Sequence, residues 1–179
     1  MEDDISLGPM TTERLVLRPF VETDEDAMLA VFADAEALRY WGPPLDRAGV
    51  RARTERNRER LAADGFARWA VVARDTSELV GDAGLSRTEV AGVEEVELGW
   101  VIRPDRWGNG YATEAAAAWL DRAFRPLGLD RVVSMIRREN VTSRRVAERL
   151  GMSVDGSAFW NDASHLMYVL RRTLLTPAS

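Results

Sequence analysis

Trp107-Gly108-Asn109-Gly110-Tyr111-Ala112-Thr113-Glu114-Ala115 is the stretch on which the reading of this chain turns. It lies between a β-rich segment closed by Pro104 and a helix expected from near Thr113, whose Ala116, Trp119, Leu120, Ala123 and Phe124 fall on one stripe. A glycine loop between strand and helix offers an anion both main-chain N–H groups and the positive end of a helix dipole. Gly108 and Gly110 let the main chain come close and take positive φ. Two familiar phosphate loops do not fit. A Walker loop needs a lysine, and all 24 basic residues of the chain are arginine. A dinucleotide fingerprint needs a third glycine where Thr113 stands, after a parallel βαβ start.

Outward from the loop, the apolar period changes in both directions. Upstream, Phe66–Arg74, Glu78–Leu85 and Glu95–Ile102 read as strands joined by the turns Asp75-Thr76-Ser77 and Val90-Ala91-Gly92-Val93. Before them come a short strand at Leu15–Arg18 and a helix over Met28, Val31, Phe32, Ala35 and Leu38, opened by a capping box at Thr23–Asp26. An arginine-rich helix from Arg47 to Arg60 follows the Tyr40-Trp41-Gly42-Pro43-Pro44 break. Downstream, Arg131–Ile136 reads as a strand and Asn140–Leu150 as a helix ended by Gly151. Short strands follow at Ser153–Asp155 and His165–Arg171. The expectation is one mixed α+β domain over residues 11–172, with a flexible lead-in over 1–10 and a tail over 173–179.

Composition narrows the chemistry. With 46% hydrophobic and 30% charged residues in 179, disorder is excluded as the default state. There is no cysteine, so disulfides and thiolate chemistry are excluded, and a lone His165 removes any His–His metal pair; no metal is expected. A formal charge of -5 argues against nucleic acid as a partner. No run reaches the length of a membrane span, and Met1-Glu2-Asp3-Asp4 is acidic where a secretory leader is basic, so no membrane partner and a cytoplasmic location are expected.

Glu97-Leu98-Gly99-Trp100-Val101-Ile102-Arg103-Pro104 together with the glycine loop closely resembles the acyl-CoA motif of the GNAT superfamily of N-acetyltransferases. Asn140-Val141-Thr142-Ser143 and Leu150-Gly151-Met152 resemble that family's next signature, and the element order agrees from Thr11 to Arg172. Within the superfamily, the Glu-x-Gly-Trp strand and the Trp-Gly-x-Gly-Tyr loop resemble the RimJ/RimL-like group, which includes acetylases of ribosomal-protein N-termini. Met152 replaces the usual Phe, and Trp107 stands where the wider family often has Gln or Arg.

The resemblance implies a GNAT fold, a central, mostly antiparallel mixed sheet splayed open and flanked by helices, with acetyl-CoA as cosubstrate. The main chain of Trp100, Val101 and Ile102 would meet the thioester and pantetheine, with Trp100 or Val101 donating to the oxyanion. Trp107, Gly108, Asn109, Gly110, Tyr111, Ala112 and Thr113 would surround the pyrophosphate, and Asn140 and Ser143 would contact the cofactor or start the helix. Ser143 is the candidate general acid, with helix capping as its other reading. Glu97, on one strand face with Glu95, Gly99 and Val101, is the candidate base, or else a structural strand glutamate. Arg103 and Arg106 read as phosphate contacts or solvated charges, Tyr111 as packing, His165 as structural or, since the resemblance sets its strand beside the acceptor, a candidate there, and Asp162 as a counter-charge for an amine.

The expected activity is acetyl transfer from acetyl-CoA to a primary amine, foremost a protein N-terminal α-amine, by direct attack in a ternary complex. A small-molecule amine (an antibiotic, polyamine or amino acid) and a non-catalytic acyl-CoA sensor are the alternatives. A homodimer is left open. Facing the acceptor, the arginine helix would favour an acidic partner; otherwise it is a solvated face.

Overall fold

The computed structural model describes residues 8–172. Eight strands form one sheet in the order β1-β2-β3-β4-β5-β6-β8-β7: β1 Met10–Thr11, β2 Leu15–Arg18, β3 Arg68–Ala73, β4 Leu79–Val90, β5 Val93–Ile102, β6 Arg131–Arg137, β7 Ser153–Trp160 and β8 Ala163–Arg171. Every pairing is antiparallel except β5 with β6. The helices are α1 Glu25–Phe32, α2 Arg47–Asp64, α3 Tyr111–Phe124 and α4 Val141–Arg149. This is the expected splayed, mixed α+β sheet flanked by helices.

Strand alternation divides the core into two layers. Trp69, Val71, Leu85, Leu98, Trp100, Ile102, Val132 and Ile136 face α3 and α4, whose Ala115, Ala116, Trp119, Leu120, Val146 and Ala147 cover them. Trp69 and Trp119 meet edge to face at 5.0 Å, both fully buried. Truncating either would cost about 3–5 kcal/mol. On the opposite face Ala70, Leu79 and Val101 are covered by Met28, Val31 and Phe32 of α1 and Val50 of α2.

Several boundaries depart from the sequence reading. Thr23–Asp26 is not a capping box for α1: a 3-10 turn over Glu22–Asp24 precedes the helix. The Asp24 carboxylate instead pairs with Arg18 at 2.7 Å and accepts from the Val21 N–H. The helix ends at Phe32, so Ala35 is exposed while Ala37 and Leu38 are buried from the loop. Tyr111 is the first residue of α3 rather than a loop residue, and β7 runs to Trp160 rather than Asp155. The turn Trp160–Ala163 is tight, with positive φ at Asn161 and Asp162. Of the expected lead-in, Met10 already pairs with Leu17 in β1; residues 1–7 and the tail 173–179 lie outside the described residues.

The arginine-rich helix is charge-matched within the chain. Arg47 and Arg51 both reach Glu25, at 2.5 and 2.6 Å, and Arg47 also reaches Asp26 at 2.7 Å. Hydrogen bonds from Arg51 and then Arg47 lower the Glu25 carboxyl from 4.5 to about 2. Arg53 turns inward, over the Phe32 ring at 4.3 Å and against buried Asp82. The acids that open α1, Glu25 and Asp26, are therefore counter-charges for the start of α2.

Candidate functional site

β5 and β6 touch through a single parallel bridge, Glu97↔Val133, and diverge beyond it. The other edge of β5 stays fully paired with β4 out to Gly81↔Ile102. Arg103 N–H donates to Val80, so by alternation the main chain of Gly99 and Val101 faces β4, and that of Leu98, Trp100 and Ile102 faces the gap. Two of those gap-facing carbonyls are taken by side chains: Ser134 donates to Leu98 at 2.7 Å and the Trp107 indole to Ile102 at 2.6 Å. The Trp100 amide and carbonyl and the Ile102 amide open onto the gap. An extended ligand could add there as a strand.

At the far end of β5 the chain makes a 3-10 turn, Pro104–Arg106, and enters the glycine loop. Gly108 and Gly110 take φ 81 and 78, left-handed values that cost other residues strain. The first amide of α3 to find a helical acceptor is Glu114, on Gly110; those of Tyr111, Ala112 and Thr113 lie ahead of it at the helix start. Arg106, Gly108, Gly110, Thr113 and, from α4, Thr142, Arg145 and Arg149 line this cleft. The loop is braced from outside: Arg14 donates to the Asn109 carbonyl at 2.7 Å, and the Asn109 amide donates back to the Arg106 carbonyl at 2.9 Å. Arg103 pairs with Asp105, and Arg106 with Glu78, so both are tied into the turn. The Tyr111 ring packs beneath Arg14 at 5.3 Å.

On the other side of the gap lies a pocket lined by Tyr40, Trp41, Glu97, Gly99, Trp100, Met135, Asn140, Ser143, Trp160 and His165. Glu97 is 3% exposed. Burial pushes its carboxyl above the ordinary value, against the opposing pull of the Arg68 charge and a long contact from the Ser86 hydroxyl at 3.5 Å. Glu95 shares that face but pairs with Arg131 at 2.6 Å, leaving Glu97 as the acid at the pocket. His165 is held with Nδ1 at 3.0 Å from the Ala163 carbonyl and its ring edge-on to Trp160. Burial lowers its pKa, which keeps it neutral at physiological pH. Asp162, in the exposed β7–β8 turn, does not line the pocket.

At the start of α4 the two readings of Asn140 and Ser143 separate. Asn140 is the N-cap, its side-chain oxygen accepting from the Ser143 N–H at 3.1 Å. The Ser143 hydroxyl is thus not the cap, and the residue lines both the Glu97 pocket and the groove beside Trp107 and Ala112. The sequence reading missed Arg68 and Arg14. Arg68 sits in an apolar strand, Arg68–Ala73, where a lone arginine was a visible irregularity; nothing local marks Arg14.

The acetyltransferase (GNAT) domain model matches the chain over residues 14–153, a span that includes the splayed strand pair and the glycine loop. This chain belongs to the GNAT acetyltransferase family. It is similar to YoaA, an uncharacterized N-acetyltransferase of Bacillus subtilis, with 29% identity over 151 residues, 82% of this chain and 84% of that one. It is also similar to the crystal structure of an acetyltransferase from Agrobacterium tumefaciens, with 30% identity, a TM-score of 0.82, and coverage of 93% of this chain and 96% of that one. RimL, a ribosomal α-N-protein acetyltransferase solved in complex with coenzyme A, shares the fold at 18% identity and a TM-score of 0.75, covering 90% of this acetyltransferase and 96% of RimL. Acetyltransferases of this family use acetyl-CoA. The open edge of β5 and the helix-start amides are of the kind that fit its pantetheine arm and pyrophosphate. Among the described residues no helix is long and apolar enough to cross a membrane, and no group of three or more His, Asp or Glu is placed to hold a metal ion.

Proposed function

We propose that this acetyltransferase transfers the acetyl group of acetyl-CoA to a protein N-terminal α-amine by direct attack in a ternary complex. The observation that carries the reading is the gap between β5 and β6, with an anion-receiving loop at one end and a buried carboxyl at the other. The amides from Gly108 to Thr113 would hold the pyrophosphate, with Trp107 and Asn140 shaping the groove, Asn109 holding the loop through the Arg106 carbonyl, and Trp100, Val101 and Ile102 bordering the pantetheine. Bound acetyl-CoA supplies the thioester that the amine attacks.

The Trp100 N–H, directed into the gap, is placed to donate to the thioester oxygen as negative charge develops there. Glu97 receives the proton of the attacking amine, directly or through water. Once the carbon–nitrogen bond has formed, Ser143 gives its hydroxyl proton toward the leaving sulfur as the carbon–sulfur bond breaks, and regains a proton from water. An α-amine titrates near ~7.7–8.0, against ~10.4 for a lysine ε-amine, so a single carboxylate suffices for the former. The name of RimL adds weight to an α-amine acceptor, through likeness of fold alone.

Release of free coenzyme A thiol, followed with N-terminal peptides, lysine-containing peptides blocked at the N-terminus, and small amines, tests this. Turnover confined to peptides with free N-termini supports it. Turnover only with small amines replaces the acceptor, and saturable acetyl-CoA binding without turnover on any amine replaces an enzyme with a sensor.

A further inference from the structure

Arg68 of β3 is 5% exposed, yet its side chain crosses the sheet toward the reactive gap. Its register partners are Gly84 on β4 and, next across, Gly99 on β5. A Cβ on Gly99 would lie 2.6 Å from one guanidinium nitrogen of Arg68 and 2.9 Å from its central carbon. The guanidinium thus rests on Gly99, and the Trp41 ring covers it at 4.6 Å. Gly99 clears the space for the guanidinium, Gly84 lets the β3 main chain approach β4 closely, and an aromatic residue of the pocket closes the site. The Arg68 N–H is itself tied to α2 through Asn57 at 3.2 Å.

We propose that Arg68 is a positioning residue for acetyl transfer: clasped between Gly99 and Trp41, it fixes the aromatic wall of the acceptor pocket and sets a positive charge beside Glu97, which lies two residues from Gly99 on the same face of β5. Asp82, fully buried, is shared by Arg53 and Arg68, the latter at 3.4 Å; two Arg68 nitrogens still lack a hydrogen-bond partner. The contact with Asp82 is therefore coulombic; burial lowers the Arg68 pKa and the Asp82 and Glu97 charges oppose that, for a guanidinium that is protonated in proteins. The other groups acting on Glu97 are Ser86 and Asp82 from β4 and Arg60 from α2, with His165 of β8 and Arg137 of β6 on the same pocket. Removing Arg68 takes away the charge that most opposes burial at Glu97 and leaves burial to favour the protonated form.

The inference rests on Glu97 as the base, and its test separates the two. The pH dependence of kcat/KM is measured for wild type and for Glu97→Gln, Arg68→Met, Arg68→Lys and Gly99→Ala, alongside ¹³C titration of the Glu97 carboxyl. In Arg68→Met the acidic limb and the carboxyl titration move together to higher pH by one unit or more, and Arg68→Lys restores much of that shift. Gly99→Ala, which displaces the guanidinium without removing it, moves them the same way and reports even if Arg68→Met fails to fold. An unmoved carboxyl titration in folded Arg68→Met or Gly99→Ala overturns the role of Arg68. A limb that persists in Glu97→Gln overturns the base reading instead, while the ¹³C titration still decides the present one.

Discussion

The Arg14 guanidinium donates to the Glu114 carboxylate at 2.7 Å and, through its other arm, to the Asn109 carbonyl at 2.7 Å, joining residues a hundred positions apart. Glu114 also accepts from the Thr12 hydroxyl at 2.6 Å and the Arg14 N–H at 2.8 Å. Burial, which raises its pKa, is outweighed by these bonds, and the carboxyl stays below its ordinary value. The start of the sheet is thereby locked to the first turn of α3 and to the carbonyl between the two loop glycines. Arg14→Ala is expected to raise KM for acetyl-CoA several-fold with little change in kcat, because the loop loses its brace while the acyl end is untouched. Steady-state kinetics and calorimetric titration with coenzyme A measure this. Equal losses in kcat and in kcat/KM would place the effect at the chemistry.

Asn140 and Ser143 are expected to separate stability from turnover. Asn140 caps α4, so Asn140→Ala costs about 1 kcal/mol of unfolding free energy. Ser143→Ala removes no cap, so its melting temperature stays near wild type while kcat falls, by at least tenfold on the scale of about 10²–10⁴ for general acid–base groups. Thermal melts of both variants beside kcat at saturating acetyl-CoA decide it. Unchanged turnover in Ser143→Ala removes the residue from the acid role.

Local patterns made much of this legible from sequence. The glycine loop, the proline that closes β5 and the alanine-rich stripe of α3 are short-range signals, and they locate the cofactor end of the gap. What escaped was set by pairing across the sheet. Arg68 matters because Gly84 and Gly99 fall opposite it, and no window of sequence contains all three. The capping box at the start of α1 was misread because Asp24 looks like a helix-start acid, whereas it answers Arg18; Glu25 and Asp26 do form the acidic first turn, and Glu25 also answers Arg47 and Arg51. Hairpin β7–β8 was read short because β7 is an edge strand whose exposed residues Ser153–Ser157 carry no apolar alternation.

The Glu25 clasp carries a pH signature of its own. Bonds from Arg51 and Arg47 hold its folded carboxyl near 2, against an ordinary 4.5. A depressed folded value stabilises fully above the ordinary one and is lost as pH falls through the folded one. The urea midpoint of Glu25→Gln should therefore lie below that of wild type at neutral pH, and the difference should vanish as pH approaches about 2. Because Arg51 and Arg47 are half-exposed or more, the gap should also shrink in high salt. A difference that ignores both salt and pH would assign the contact to packing.

Glu97 should show the reverse. Burial, the largest influence on it, lifts its folded carboxyl above the ordinary 4.5. The folded protein then holds a proton that the unfolded chain releases, so ionisation at this position opposes folding, increasingly so as pH rises from the ordinary value to the folded one. Glu97→Gln keeps the shape and abolishes the charge. At neutral pH the variant should be more stable than wild type, while its turnover falls by about 10²-fold or more. The stability difference should close once pH drops below about 4.5, where the wild-type carboxyl is neutral in both states. Melting temperatures and kcat for the pair across that range test the balance directly. A variant less stable at neutral pH would mean that Arg68 needs the Glu97 charge more than burial penalises it, and would move Glu97 from a strained functional acid to half of a structural ion pair.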